Sequence, residues 1–154
     1  MTPKAGITEI PYPGSGERLC AAIAHLPWTV FLDSGAPWRS DGRFDIIATA
    51  PTTRLTTRGS ETMIEEQQQR RSSEADPFLL LERALGPITQ GVDHLPFCGG
   101  AIGFFGYDLG RRLERLPQRA RPTPPYPEMV FAIYPAAAVV DHQQQRAFIV
   151  GRTE

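Results

Sequence analysis

Short apolar runs separated by turn residues recur along this chain, and they predict β-strands rather than long helices. Thr29–Asp33 and Arg43–Ala50 are rich in β-branched and aromatic residues, and each run is followed by a proline-containing break. Arg54–Thr57 and Glu61–Glu65 flank Gly59-Ser60, a pattern typical of a β-hairpin. Sheet is therefore expected to dominate this part of the chain.

A second group of strand-like runs lies near the C-terminus. Met129–Asp141 predicts a long strand, in which Pro135 indicates an edge position or a bulge because proline has no amide proton for the ladder. His142–Gln145 forms a turn, after which Arg146–Gly151 predicts the returning partner strand. Residues 1–16 indicate an extended arm or edge strand that leads into a loop.

Helical spacing of apolar residues is confined to short segments. In Glu17–Leu26 the apolar positions repeat at i, i+3, i+4 and i+7, and Pro27 ends this predicted helix. A second helix begins at Asp76, which suits the N-cap, and continues through Pro77, which suits the first helical position. Gly86 is typical of the residue that follows the end of such a helix.

The segment Phe97–Arg112 combines glycine and aromatic residues in an otherwise apolar context. Glycine inside a strand indicates a bulge, a bend or a close approach of another backbone. We therefore predict a buried, kinked strand that turns at Gly106-Tyr107 into a short helix. Asp108 is expected to cap that helix, and an ion pair with Arg111-Arg112 is the alternative.

The remaining segments have few apolar residues. Residues 66–75 are polar and predict a mobile loop, whereas the proline-rich residues 117–127 predict an irregular crossing. These elements amount to about seven strands and about three helices without regular β-α-β alternation. The predicted fold class is therefore α+β, a mainly antiparallel β-sheet layer with helices, in a single domain over residues 1–154.

Composition excludes several classes of partner. The 154 residues carry a net charge of −1, which gives no electrostatic case for binding nucleic acid or an anionic membrane. Cys20 and Cys98 lack metal-binding spacing and are expected to be free thiols in a reducing cytosol. No apolar run approaches the roughly 20 residues that span a bilayer, and the N-terminus lacks the apolar core of a signal peptide. We expect a cytoplasmic protein.

The sequence contains no recognisable catalytic constellation. The glycine-rich segment lacks the spacing of phosphate-binding loops. His25, His94 and His142 lie at a helix end, in a loop and in a turn, so we expect surface or capping roles for them. From the residues alone, no catalytic residue is predicted.

One corner of the predicted sheet nevertheless suits a ligand. Ser34 follows a strand and precedes Gly35, a position that can present a hydroxyl. Arg43 begins the next strand, where its guanidinium could hold a ligand carboxylate. The structural alternative for this arginine is a salt bridge to one of three nearby acids, Asp33, Asp41 or Asp45.

Two segments resemble the N-terminal region of aminodeoxychorismate synthase component I, within the chorismate-utilising enzymes. The first is Phe31–Gly35 followed by Arg43–Pro51, and the second is Leu95–Arg111. His25–Trp28 and Val139–His142 fit the same pattern. The Arg-Phe-Asp-Ile and Asp-Leu-Gly-Arg forms favour this branch over the related anthranilate synthase component I.

The resemblance implies the N-terminal part of the β-sandwich fold of these enzymes. Residues 1–154 would be the N-terminal domain of a longer chain, whose catalytic C-terminal part, with its chorismate and magnesium site, is absent from this sequence. The longer enzyme would make 4-amino-4-deoxychorismate, for p-aminobenzoate and folate synthesis, from chorismate and ammonia delivered by a glutamine amidotransferase subunit. This chain alone is expected to be inactive and to bind no metal or cofactor.

The resemblance also implies a pocket for L-tryptophan, whose matching positions here are Ser34, Asp41, Gly42, Arg43 and Phe44. The alternatives are the N-terminal part of anthranilate synthase component I, or a stand-alone amino-acid-binding regulatory module. We further expect an exposed apolar patch where the C-terminal part would dock.

Overall fold

The computed structural model describes residues 5–36, 39–87, 91–115, 117 and 126–152. Within these residues it contains ten strands and three helices. In chain order the strands are β1 (Ala5–Ile10), β2 (Val30–Leu32), β3 (Phe44–Ala48), β4 (Thr53–Arg58), β5 (Glu61–Glu66), β6 (Gln69–Ser73), β7 (Gly100–Phe105), β8 (Met129–Tyr134), β9 (Ala136–Asp141) and β10 (Arg146–Arg152). The helices are α1 (Gly16–Ile23), α2 (Pro77–Leu85) and a short 3₁₀ helix, Tyr107–Arg112.

The chain divides into two compact units. The first unit comprises Met1–Pro51, Pro87–Gly100 and Tyr134–Glu154, and the second comprises Thr52–Gly86 and Ala101–Ile133. Each unit contains a five-stranded sheet, with strand order β1-β10-β9-β3-β2 in the first and β6-β5-β4-β8-β7 in the second. The registered strand pairs are antiparallel, which confirms the predicted fold class.

The sheet of the first unit has apolar contacts on both of its faces. Along β9, Val140 packs with Ile47 on the face that contacts α1, while Val139 packs with Phe148 on the opposite face. This division follows from the strand period, because successive side chains point to opposite faces. The sheet of the first unit is therefore covered by apolar side chains on both faces.

The second unit packs α2 against its sheet. Leu80 and Leu81 of α2 contact the buried side chains of Leu55 and Ile64, which lie on β4 and β5. Asp76 caps the helix, accepting hydrogen bonds from the amides of residues 78 and 79, and the Gly86 amide donates to the Glu82 carbonyl at the other end. The start and the end predicted for this helix are confirmed.

Several other sequence predictions are confirmed. β4 and β5 pair as a hairpin around Gly59-Ser60, and β9 and β10 pair as predicted for the C-terminal strands. The N-terminal arm is the edge strand β1, and both cysteines are free. In the described part of the chain, no helix is long and apolar enough to cross a membrane.

The first helix is shorter than predicted. α1 ends at Ile23 rather than at Leu26. The Ile23 carbonyl accepts from the Leu26 amide at 2.9 Å, and the Thr29 hydroxyl lies 3.1 and 3.0 Å from the carbonyl oxygens of Ile23 and Leu26, between which its one proton is shared. These bonds satisfy carbonyl groups that another helical turn would otherwise have bonded. The apolar spacing alone gave no sign of this tertiary contact.

The mobile loop predicted over residues 66–75 is wrong. Gln69–Ser73 forms β6, an edge strand that pairs with β5. Gln67 and Gln68 form the connecting turn with φ values of 47° and 66°, the left-handed conformation that two-residue hairpin turns require. Backbone pairing at a sheet edge needs no apolar side chains, so polarity concealed this strand.

The single long strand predicted over residues 129–141 is also wrong. β8 belongs to one sheet and β9 to the other, and Pro135 is the residue that connects the two strands. Proline lacks the amide proton that a continuous ladder would use at this position. The interruption occurs at Pro135, as predicted. It separates two strands of different sheets, however, and is not a bulge or an edge position within one strand.

The glycine-rich segment is a strand followed by a short helix, with two corrections. Phe104 and Phe105 at the end of β7 are each 50% exposed, so this strand is only partly buried. Asp108 makes no cap hydrogen bond and instead pairs with Arg111, at 2.7 Å. Most of residues 117–127, for which an irregular crossing is predicted, lie outside the described residues.

Gly103 of β7 allows β8 to approach closely, because it has no side chain. A Cβ atom at Gly103 would collide with the Val130 carbonyl oxygen and lie 2.7 Å from the Phe131 Cα atom. Gly103→Ala should therefore lower the free energy of unfolding by about 2 kcal/mol, a typical cost of overpacking. Urea denaturation measures this change.

Gly91→Ala is the matched control for this variant, because its Cβ would meet only the Cys98 sulfur, at 4.0 Å. We expect it to change the unfolding free energy by less than about 0.5 kcal/mol. A Gly103→Ala protein as stable as the wild type would contradict the close approach of β7 and β8.

Candidate functional site

The candidate site lies in the first unit, where the end of β2 lies beside the beginning of β3. Leu32 of β2 pairs with Ile46 of β3, so the chain leaving β2 passes next to Asp45. Both the amide and the hydroxyl of Ser34 donate hydrogen bonds to Asp45 Oδ1, each at 2.9 Å. One carboxylate oxygen therefore fixes both the backbone and the side chain of Ser34.

His142 approaches the other oxygen of the same carboxylate. Its Nε2 atom lies 2.7 Å from Asp45 Oδ2, and the two side chains are only 8% and 3% exposed. The amide of His142 also donates to the Arg43 carbonyl, which holds the turn after β9 beside β3. The histidine ring is thus positioned by backbone as well as side-chain bonds.

Tyr12 extends this arrangement by one more residue. Its hydroxyl lies 3.0 Å from His142 Nδ1, and the two rings meet edge to face with centroids 6.0 Å apart. The same hydroxyl lies 3.4 Å from the Gly14 carbonyl oxygen. Tyr12, His142, Asp45 and Ser34 therefore form one continuous hydrogen-bonded series, which we call the buried chain.

Gly16, the first residue of α1, closes the space around Asp45. It is buried, and a Cβ atom there would collide with Asp45 Oδ2 and lie 2.9 Å from the Asp45 Cβ atom. The start of α1 therefore lies directly against the carboxylate. The partial positive charge of a helix N-terminus favours an anion at this position.

Asp45 is held as a carboxylate. Burial would raise the pKa of Asp45, but hydrogen bonds from the Ser34 amide, the His142 ring and the Ser34 hydroxyl outweigh that effect, so its pKa lies below the ordinary value. An ionised carboxylate only accepts hydrogen bonds. The proton between Asp45 and His142 therefore belongs to His142 Nε2.

Arg43 forms a separate ion pair beside the buried chain. Its guanidinium donates to both oxygens of Asp141, through Nη2 at 2.8 Å and Nε at 3.2 and 3.3 Å. It also stacks on the Phe44 ring, 4.4 Å from the centroid. Burial would raise the pKa of Asp141, but the Arg43 hydrogen bond and the amides of Gln143 and Gln144 lower it.

The loop between β2 and β3 carries the other predicted site residues. A Cβ atom at Gly42 would lie 2.7 Å from the Ser34 carbonyl oxygen and 2.9 Å from the Ala36 amide, so glycine lets the two ends of the loop meet. Asp41 lies on the exposed side and pairs with Arg39 at 3.0 Å. Residues 37 and 38 of this loop are outside the described residues.

The structure therefore brings Gly42 against Ser34 and Arg43 against Phe44, with Asp41 on the exposed side. Phe44 packs with Val139 and Phe148, on the sheet face opposite the one that carries Asp45. The salt bridge of Arg43 is made to Asp141, a residue that the sequence analysis did not consider as its partner. Whether this corner binds a ligand stays a prediction.

The surface or capping role predicted for His142 is wrong, because its ring is buried between Asp45 and Tyr12. Sequence reasoning missed these two partners because they lie 97 and 130 residues away. One signal was available, since Asp45 interrupts an otherwise apolar strand. A charge in such a position requires a buried partner.

No metal centre is formed by the residues that the structure describes. Among them there is no group of three or more histidine, cysteine, aspartate or glutamate side chains placed to hold a metal ion. The carboxylates of the site are already bonded to Ser34, His142 and Arg43. These residues do not fit a magnesium site.

Comparison with known proteins points to one family. Residues 29–154 match the family model described as chorismate binding enzyme. The chain is 38% identical over 143 residues to aminodeoxychorismate synthase component 1 of Escherichia coli strain K12, covering 91% of this chain and 32% of that protein. The corresponding protein of Klebsiella aerogenes is 40% identical over 136 residues, covering 86% of this chain and 30% of that protein.

A solved structure gives the same indication for the fold. The crystal structure of anthranilate synthase component I from Streptococcus pneumoniae TIGR4 matches with a TM-score of 0.58 at 24% identity, covering 91% of this chain and 30% of that chain. This chain thus has the fold of a chorismate-utilising enzyme and spans about a third of the length of the curated relatives it matches. The family model matches most of the residues of this chain, and the chain therefore belongs to the chorismate binding enzymes.

Proposed function

We propose that this chain is the N-terminal, non-catalytic part of an aminodeoxychorismate synthase component I. The observation that carries the proposal is the identity to two such proteins over most of the chain. The complete enzyme would act in the cytoplasm, where it would convert chorismate and ammonia into 4-amino-4-deoxychorismate for p-aminobenzoate and folate synthesis. A glutamine amidotransferase subunit would supply the ammonia.

The chemistry of the described residues supports a non-catalytic role. Asp45 and Asp141 already accept hydrogen bonds from protein donors, and both are almost fully buried. A carboxylate in that state has little capacity to bind a magnesium ion, which prefers several oxygen ligands with retained waters. We place the magnesium and chorismate site in the C-terminal part of the longer protein.

We propose L-tryptophan as the ligand of the corner formed by Ser34, Asp41, Gly42, Arg43 and Phe44. An amino acid offers an ammonium group, a carboxylate and an apolar side chain. The corner offers a hydroxyl oxygen at Ser34, the Arg43 side chain, which is 35% exposed and paired with Asp141, and the ring of Phe44 on which Arg43 stacks. These groups are complementary to those of the amino acid.

A second candidate function is the N-terminal part of anthranilate synthase component I. The chain is also 34% identical over 127 residues to anthranilate synthase component 1 of Mycobacterium bovis, covering 79% of this chain and 25% of that protein, which favours this candidate. The product of the complete enzyme separates the two candidates. A stand-alone amino-acid-binding module, the third candidate, would bind its ligand fully without any further chain.

We propose that the C-terminal part of the same protein docks against the second unit near β7. β7 is an edge strand, and its neighbourhood exposes large apolar side chains. The exposed fractions are 50% for Phe104 and Phe105, 93% for Tyr107 and 72% for Leu113. Such a concentration of exposed apolar residues is typical of an interaction surface.

The catalytic assignment predicts the products of two proteins. This chain, incubated with chorismate, magnesium and ammonium, should form no product, whereas the longer protein should form 4-amino-4-deoxychorismate. Chromatography with mass spectrometry identifies the products. Anthranilate from the longer protein would favour the second candidate, and turnover by this chain alone would overturn the proposal.

The ligand assignment predicts a local response to L-tryptophan. Titration of the ¹⁵N-labelled chain should shift amide signals centred on Ser34 and Arg43-Phe44. Ser34→Ala should weaken binding by about tenfold, the value of one lost hydrogen bond to a charged group. Ser60→Ala, in the hairpin turn of the second unit, is the matched control and should bind normally. Signals unchanged at millimolar tryptophan would contradict the assignment.

The docking assignment predicts binding of a hydrophobic dye by this chain. The fluorescence of 8-anilinonaphthalene-1-sulfonate should rise on addition of the chain, and the double variant Phe104→Gln, Leu113→Gln should roughly halve that rise. Ile7→Gln is the control, since Ile7 is 43% exposed on β1 of the first unit. Equal dye binding by the double variant and the wild type would argue against this surface.

A further inference from the structure

We propose that Tyr12, His142 and Asp45 position the Ser34 hydroxyl as a hydrogen-bond acceptor towards the ligand, so that Ser34 receives the ammonium group of the bound amino acid. This inference rests on the proposed ligand corner and assigns the polarity of its central contact. The first three residues do not touch the ligand. They act through Ser34 and are positioning residues.

The Ser34 hydroxyl must act as an acceptor towards a ligand, because its single proton is already used. A serine hydroxyl carries one proton and two acceptor lone pairs. The Ser34 hydroxyl donates its proton to Asp45 Oδ1 at 2.9 Å, and the amide of the same residue donates to the same oxygen. The Ser34 oxygen therefore has only lone pairs left for a ligand, and a ligand must offer a donor there.

Accessibility shows why Asp45 acts through Ser34 and not directly. Asp45 is 2% exposed, its Oδ2 atom is occupied by His142, and Gly16 lies against the same oxygen. Ser34 is only partly buried. We therefore expect a ligand to meet Ser34 and not the buried carboxylate, while the negative charge of Asp45 strengthens the attraction of the hydroxyl oxygen for a cationic donor.

The far end of the buried chain holds the carboxylate in place for either protonation state of His142. When the ring is neutral, Nε2–H donates to Asp45 and the Tyr12 hydroxyl donates to Nδ1, 3.0 Å away. When the ring is charged, Nδ1–H donates to the Tyr12 oxygen, whose own proton turns to the Gly14 carbonyl at 3.4 Å. Asp45 keeps the same donor in both states, so the orientation of Ser34 persists.

The test uses ligands that differ in the ammonium group. L-tryptophan carries it, whereas 3-indolepropionate has the same ring and carboxylate without it. Asp45→Asn and Tyr12→Phe should each weaken tryptophan binding, by about tenfold and about threefold, since a lost hydrogen bond costs within that range. Both variants should leave the affinity for 3-indolepropionate within about twofold of wild type.

Matched controls come from the second unit. Asp108→Asn and Tyr107→Phe make the same chemical changes at exposed positions and should alter neither affinity. Equal losses for tryptophan and 3-indolepropionate in the positioning variants would overturn the proposal, because a merely structural role would affect both ligands alike. Tyr12→Phe removes one oxygen at the far end of the chain, so the test remains decisive if Asp45→Asn does not fold.

A ligand-free measurement separates this inference from the proposed function. Long-range ¹H–¹⁵N spectra should show a proton on His142 Nε2, and Asp45→Asn should move the Ser34 amide proton upfield. The lowered pKa of Asp45 means that its stabilising effect is present above the unfolded value near 3.9 and is lost as the pH falls further. The stability difference between wild type and Asp45→Asn should therefore shrink from pH 7 to pH 3.

The outcomes are distinguishable. If the wild type binds neither ligand but the spectra show the bonded His142 and Ser34, then the proposed function fails, and with it the ammonium assignment. If tryptophan binds but the Ser34 amide does not respond to Asp45→Asn, the ligand corner stands and the positioning role is overturned. If the positioning variants lose their selectivity for tryptophan over 3-indolepropionate, and Asp45→Asn shifts the Ser34 amide signal, then both the ligand corner and the positioning role are supported.

Discussion

The burial of one carboxylate, Asp45, is the constraint on which the first unit depends. Taking a charge out of water costs several kcal/mol unless hydrogen bonds replace the lost water. Here the replacements come from Ser34 after β2 and from His142 after β9. Satisfying the charge therefore requires distant parts of the chain to meet at one point, and the strand order β9-β3-β2 brings them there.

Glycine provides the space that this meeting needs. α1 begins at Gly16 against the Asp45 carboxylate, and any larger residue would collide with that side chain. Gly42 plays the same part on the other side, where the backbone at Ser34 comes too close for a Cβ atom. The polar corner therefore requires the absence of a side chain at Gly16 and at Gly42 as well as the charged groups themselves.

Local signals in the sequence predicted those parts of the fold that local chemistry determines. The N-cap of α2, its proline and its terminal glycine lie within a few residues of each other, and the turn at Gly59-Ser60 needs only its own hairpin. β6 escaped prediction because its strand character comes from backbone pairing with β5 and not from its polar side chains.

In the candidate site, too, the sequence indicated the residues with a local signal and missed those that depend on distant partners. Ser34 and Arg43 stood out because they begin or follow strands, whereas His142 looked like an ordinary turn residue. Its partners Asp45 and Tyr12 are remote in sequence, and neither spacing nor composition can pair residues across such distances. Asp45 could have been suspected, since a charge within an apolar strand requires compensation from elsewhere in the fold.

The two buried aspartates also differ in what their hydrogen bonds accomplish. Asp141 accepts from the Arg43 guanidinium and from the amides of Gln143 and Gln144, which closes a turn and ties it to β3. Such a pair can often be replaced by apolar residues with little loss of stability. Asp45 instead fixes the direction of a partly exposed hydroxyl. In the positioning role proposed above, this direction leaves the lone pairs of the hydroxyl oxygen for a donor on a ligand.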